Sequence, residues 1–188
     1  MRILIADSLP STCVTELEAT GLSVKFEPGL SGAELRETLA KLEPEIVVVR
    51  STRIDRAMIE ADRSLALIIR AGAGYNTIDV EAASERSVYV ANCPGKNSIA
   101  VAELAMGLII SLDRRIPDNV IDARAGVWNK GRYSRARGIL GSRLGIIGLG
   151  RIGTELASRA RAFGMEVGAY SRSLTDERAM ELGLRRFT

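Results

Sequence analysis

Short β-branched runs alternating with amphipathic helical patterns predict an α/β chain built as two parallel-sheet units. Three observations carry this reading: the alternation across residues 1–92, the break at Asn92-Cys93-Pro94-Gly95, and a second strand–turn–helix pattern that starts near residue 144. With 46% hydrophobic and 26% charged residues, the chain has the material for buried cores and lacks the signature of disorder.

In the first unit the strand candidates are 2–6, 22–26, 46–50, 67–70 and 88–91, with helical patterns at 10–20, 32–42, 55–60 and 79–86. Pro10 stands where a helix tolerates proline, in the first turn, and Gly21 stands where a left-handed residue stops one. Five strands joined by crossover helices imply right-handed connections and a parallel sheet, flavodoxin-like in outline. A phosphoacceptor module of that outline needs an aspartate ending its third strand, and Arg50 stands there instead.

After the break, Asn97 or Ser98 opens a helix whose body, 100–112, is apolar almost all round and is expected to be buried on several sides. Arg114 and Arg115 suit its C-terminal dipole, and Pro117 is expected to end it. The polar, glycine-punctuated segment 117–143 reads as a loop-like arm. A strand at 144–147, a helix at 154–163 and a strand at 165–170 follow. No internal repeat or low-complexity tract appears.

Composition excludes much chemistry. With no histidine, the chain cannot form a Ser-His-Asp triad, a Cys-His pair or a His-ligated metal site, and no metal is expected. Cys13 and Cys93 read as reduced, partly buried thiols, and the start of the chain meets Asp7 without an apolar leader, which together predict a cytoplasmic protein. The longest apolar stretch, 104–112, is too short to cross a bilayer. The net charge of +3 comes from scattered basic residues, densest over 124–143, with only Trp128 and Tyr133 interleaved; nucleic acid is not expected as a partner.

Gly148-Leu149-Gly150-Arg151-Ile152-Gly153 reads G-x-G-x-x-G between a strand and a helix, the context of a dinucleotide-binding turn. Gly148 permits the tight turn, Gly150 lets the backbone approach a pyrophosphate, and Gly153 lets the helix lie close to the sheet. The helix N-terminus, with Arg151 and Ile152, then faces the anion. Such sites need a group for the adenosine ribose at the end of the next strand. Ser171-Arg172-Ser173 stands there, with no carboxylate before Asp176. A guanidinium pairs with a 2′-phosphate that a carboxylate would repel, so the cofactor is NAD or NADP with a lean to NADP.

From Arg50 to Leu184 the chain resembles the D-isomer-specific 2-hydroxyacid dehydrogenases, within them the phosphoglycerate dehydrogenase branch. The resemblance rests on Arg50-Ser51-Thr52, Arg70-Ala71-Gly72-Ala73-Gly74-Tyr75-Asn76-Thr77-Ile78-Asp79, Asn92-Cys93-Pro94-Gly95-Lys96-Asn97-Ser98, Ala102-Glu103-Leu104, Arg124-Ala125-Gly126-Val127-Trp128, the glycine turn, and Arg161-Ala162-Phe163-Gly164-Met165. It implies a substrate-binding lobe over 1–97 and the first half of a Rossmann domain over 98–188, with two sheet strands present and the active site in the cleft between. It further implies that the backbone at Ala73 and Gly74 receives the carboxylate of a small hydroxyacid or oxoacid, and that Arg50 and Arg70 bind the phosphate or carboxylate of a phosphorylated substrate. Asn76 and Asp79 would shape that loop.

Helix 98–116 and arm 117–143 would join a homodimer, with Trp128 as an anchor and Lys130 or Arg132 reaching the substrate. Two positions depart from the family pattern: Arg53 where threonine is usual, and Ser171 where aspartate is usual. The family's catalytic arginine, glutamate and histidine have no counterparts here, so no catalytic residue is assigned within the chain. The resemblance therefore implies a C-terminally truncated oxidoreductase, inactive alone and poorly soluble. The alternative is a non-catalytic, dimerising NAD(H)-binding module of the corepressor kind.

Overall fold

A computed structural model describes all 188 residues, Met1–Thr188. The chain divides into two compact units, Met1–Lys96 and Asn97–Thr188.

The first unit alternates β1 (Arg2–Ile5), α1 (Ser11–Ala19), β2 (Ser23–Phe26), α2 (Gly32–Leu42), β3 (Ile46–Val49), α3 (Arg56–Ala61), β4 (Leu67–Arg70), α4 (Val80–Glu85) and β5 (Tyr89–Asn92). Its strands form one parallel sheet in the order β2-β1-β3-β4-β5, the flavodoxin-like order, in which the winding reverses between β1 and β3. The central strands are apolar on both faces because helices cover both. On one face Leu4, Val47, Val49 and Ile68 meet Leu35, Leu39 and Ile59; on the other, Ile3, Ile5 and Val48 meet Val14 and Leu17 of α1. Asp55 and Asp79 cap α3 and α4, accepting from the N–H of Met58 (3.0 Å) and Ala82 (2.9 Å). Gly21 takes the left-handed conformation, φ 80°, after α1.

The second unit comprises α5 (Ser98–Arg114), α6 (Ile116–Arg124), α7 (Lys130–Tyr133), β6 (Arg143–Ile147), α8 (Arg151–Ala162), β7 (Glu166–Tyr170), α9 (Asp176–Glu181) and β8 (Arg185–Arg186). Its parallel sheet runs β6-β7-β8. The sheet thus has three strands, not the two expected. The third escapes sequence reading because it is two residues long and holds two arginines. Its partner is Gly168, whose missing side chain leaves a notch filled by the Phe187 ring, while the Phe187 N–H donates to Ala169 O at 2.8 Å.

Two further expectations are corrected. Pro117 does not end α5. Arg115, in the left-handed region at φ 54°, ends it, and Pro117 lies in the first turn of α6, where its missing N–H would have had no helical partner anyway. The arm is accordingly not a loop, since α6 and α7 occupy much of it. Nor is α5 buried on several sides. Met106 packs with Ala157 and Ala160 of α8, whose small side chains admit a close approach, and Ala102 is buried, while Leu104, Leu108 and Leu112 form an exposed stripe at i, i+4, i+8.

Candidate functional site

The glycine turn is built as its spacing requires. Gly148 leaves β6 with φ 96°, a conformation that costs a side-chain-bearing residue dearly, and its N–H donates to Tyr170 O at 2.7 Å. Gly150 is the N-cap of α8, and a Cβ there would meet nothing within 4 Å, so its face is open to a ligand. Gly153 is the reverse case: a Cβ would collide with the carbonyl oxygen of Gly148, so only glycine lets α8 start this close to the strand. The helix begins at Arg151, three residues earlier than expected, which makes Arg151 and Ile152 its first turn. The N–H groups of Ile152 and Gly153 have no carbonyl of their own helix to bond, and the dipole adds positive potential there.

Strand register brings the second half of this site beside the first. Ile147 pairs with Tyr170, so Gly148 and Ser171 leave the sheet from adjacent carboxyl ends. Ser171 O accepts from Leu174 N–H at 3.1 Å in a turn that exposes Arg172. Arg172 enters no ion pair, whereas the next acid, Asp176, accepts from Arg186 at 3.2 Å. The β7 end therefore presents a free guanidinium and no free carboxylate.

In the first unit, Arg50, Arg70, Ala73 and Gly74 gather at the carboxyl edge of β3 and β4, where Val49 pairs with Arg70. Arg50 is exposed. The Arg70 guanidinium folds back over Gly72, so closely that a Cβ at Gly72 would occupy its place, and its Nε is buried without a partner. From β5, the Asn92 amide donates to Ala73 O at 2.7 Å and Cys93 N–H donates to Gly72 O at 2.9 Å. These two bonds hold the carbonyls of the loop, while the N–H groups of Ala73 and Gly74 bond to no protein acceptor.

One residue here was not singled out from sequence. Asp7, just beyond β1, accepts through Oδ2 from the N–H groups of Arg50 (2.6 Å), Ser51 (3.0 Å) and Thr52 (3.0 Å). Partial burial pushes its carboxyl up, but these donors outweigh that and hold it below the usual carboxylate value. The available signal was an acid at the end of a strand that neighbours β3 in the sheet, visible only once the strand order is known.

The arm carries its own contacts. Arg132 donates to Asp122 at 3.1 Å and lies 5.5 Å from the centre of the Tyr133 ring, so its charge is already engaged within the arm. Lys130 lines a cavity of about 430 Å³ with Arg114, Ile116, Trp128 and Tyr133. Trp128 is 87% exposed.

The chain is similar to several known proteins. D-3-phosphoglycerate dehydrogenase of Methanocaldococcus jannaschii is 39% identical over 185 residues, which are 98% of this chain and 34% of that protein. Hydroxypyruvate reductase of Thermotoga maritima is 43% identical over 138 residues, 72% of this chain and 45% of that protein. Among solved structures, an acyclic imino acid reductase in complex with NADPH and D-Arg superposes with a TM-score of 0.82 at 26% identity, covering 100% of this chain and 60% of its own. The chain thus spans about a third of the length of the phosphoglycerate dehydrogenases it matches. The family model for the catalytic domain of the D-isomer specific 2-hydroxyacid dehydrogenases matches residues 3–183, and the chain belongs to that family.

Proposed function

We propose that the chain supplies the cofactor turn and the substrate-anion edge of an oxidoreductase that moves hydride between a nicotinamide dinucleotide and a small D-2-hydroxyacid, with 3-phosphoglycerate as the leading substrate. The observation that carries this reading is the glycine turn, with Gly148 strained as only glycine tolerates, Gly153 closed to any side chain and Gly150 open. The residues fit a dinucleotide: Gly148, Gly150, Arg151, Ile152 and Gly153 would hold the pyrophosphate, and Ser171 with Arg172 the adenosine ribose. When bound, the nicotinamide supplies a hydride acceptor. The uncommitted Arg172, beside an Asp176 already paired with Arg186, favours NADP over NAD.

In the first unit, the free N–H groups of Ala73 and Gly74 would take the substrate carboxylate and the Arg50 and Arg70 guanidiniums its phosphate. The chain holds no histidine to exchange the alcohol proton, so in this reading turnover draws that group from outside these residues. A homodimer through α5 and the arm is the proposed assembly, supported by the Leu104–Leu108–Leu112 stripe and Trp128 standing in solvent.

Titration of the chain with NADPH and NADH, read by nicotinamide fluorescence, tests the reading. Tighter binding of NADPH, lost in Gly150→Asp and reduced towards the NADH value in Arg172→Ala, is expected. Absence of binding to either nucleotide would overturn it.

A further inference from the structure

At the carboxyl end of β3, three successive backbone N–H groups, from Arg50, Ser51 and Thr52, converge on a single point, which makes a concave nest for an anion. The nest lies between β1 and β3, where the strand order reverses, and doubly wound sheets take up their ligands at that crevice. In this chain the nest already holds an anion. The Asp7 Oδ2 lies 2.6, 3.0 and 3.0 Å from the three nitrogens, and its Oδ1 is 3.4 Å from the Ser51 hydroxyl. Charge-assisted bonds of this kind are roughly twice as strong as neutral ones. A ligand phosphate approaching the crevice would meet spent donors and a negative charge.

We infer that Asp7 is a positioning residue, which fills the β1/β3 crevice with the chain's own carboxylate and thereby fixes the turn from which Arg50 meets the phosphate of a phosphorylated hydroxyacid. The inference rests on the substrate reading given above. Its effect is to move the ligand one strand along, to β3 and β4, where Val49 pairs with Arg70 and where the N–H groups of Ala73 and Gly74 are unspent. Asp7 itself touches no ligand. It acts through the geometry of Arg50, because the same backbone N–H that binds Asp7 belongs to the residue carrying the guanidinium.

The test is a titration of the 188-residue chain with D-3-phosphoglycerate, followed by the amide resonances of residues 50–52 and 73–74, on wild type, Arg50→Ala, Asp7→Ala, Asp7→Asn and the double variant Asp7→Ala/Arg50→Ala. Loss of a charge-assisted contact predicts about tenfold weaker binding for Arg50→Ala, and a comparable loss for Asp7→Ala. Asp7→Asn keeps a carbonyl oxygen for the nest and is expected to fall between Asp7→Ala and wild type. Because Asp7 acts through Arg50, the double variant should bind no more weakly than Arg50→Ala alone.

Wild-type affinity in Asp7→Ala, or losses that simply add in the double variant, would overturn the inference while leaving the substrate reading intact. No binding by wild type, or none lost in Arg50→Ala, would overturn the substrate reading and this inference with it. Should Asp7→Ala not fold, Asp7→Asn decides. Reduced affinity in an Asp7→Asn chain that still melts cooperatively above the titration temperature supports the role, and unchanged affinity overturns it.

Discussion

Single residues differ sharply in how much their sequence position discloses. The three glycines of the turn were legible, because each role in a G-x-G-x-x-G follows from the backbone alone. Gly153→Ala drives a Cβ into the Gly148 carbonyl, so it should cost about 1–3 kcal/mol in thermal or urea unfolding and abolish nucleotide binding. Gly72 was legible only as part of a motif; its reason is the Arg70 guanidinium folded over it. Gly72→Ala should evict that guanidinium and weaken phosphoglycerate binding about tenfold with little loss of stability, which calorimetric titration and a melting curve would separate.

Two aspartates of the first unit pull stability in opposite directions with pH, and neither was legible because each depends on neighbours distant in sequence. The folded state lowers the Asp7 pKa, so Asp7 contributes stability above its unfolded value of about 3.9, and that stability is lost as pH falls through the folded value. The fully buried Asp62 is raised by desolvation, although its Oδ1 accepts from Ser64 and Leu65 N–H, and its Oδ2 has no partner. There the native state binds the extra proton, so stability falls as pH rises above about 3.9 through the folded value, and the full cost is present beyond it. Urea unfolding across pH 3–8 should lose the acid-side decline in Asp7→Asn and the opposite slope in Asp62→Asn.

Among elements, the strands of the first sheet were legible to within a residue or two, because β-branched runs bounded by helical patterns have few other readings. The order β2-β1-β3-β4-β5 follows from right-handed crossovers only up to the choice of side at each step, and packing makes that choice. The arm failed for a different reason. Its glycines and its proline read as interruptions, yet Pro117 lies in the first turn of α6 and Asn129 caps the one-turn α7 by accepting from Arg132 N–H at 3.0 Å. The α5 stripe is the element with the clearest consequence. If it pairs with a second copy, Leu108→Glu should convert a dimer to a monomer in sedimentation velocity, since it puts a charge into the middle of the seam, while leaving the buried Ala102 and the α8-facing Met106 untouched.

At the level of the whole molecule, the proposed function rests on two half-sites. The glycine turn and the strand ends of the first sheet each stand on local backbone geometry, whereas the histidine that the resemblance implies for the acid–base step is absent from the chain. The 188-residue chain should therefore bind nucleotide and hydroxyacid yet show no steady-state oxidation of D-3-phosphoglycerate with either nucleotide; a measurable rate would contradict that. The second sheet also shows how little ladder is needed to complete it. β8 has two residues, too few hydrogen bonds to select one alignment over another, and a slip by one would turn its side chains to the opposite face. The Phe187 ring seated in the Gly168 gap makes that selection instead, acting as a key that fits one tooth of the neighbouring strand. Alignment of the sheet's outer edge is thus encoded in a pair of residues whose mutual fit, rather than strand propensity, decides which partner each backbone group meets.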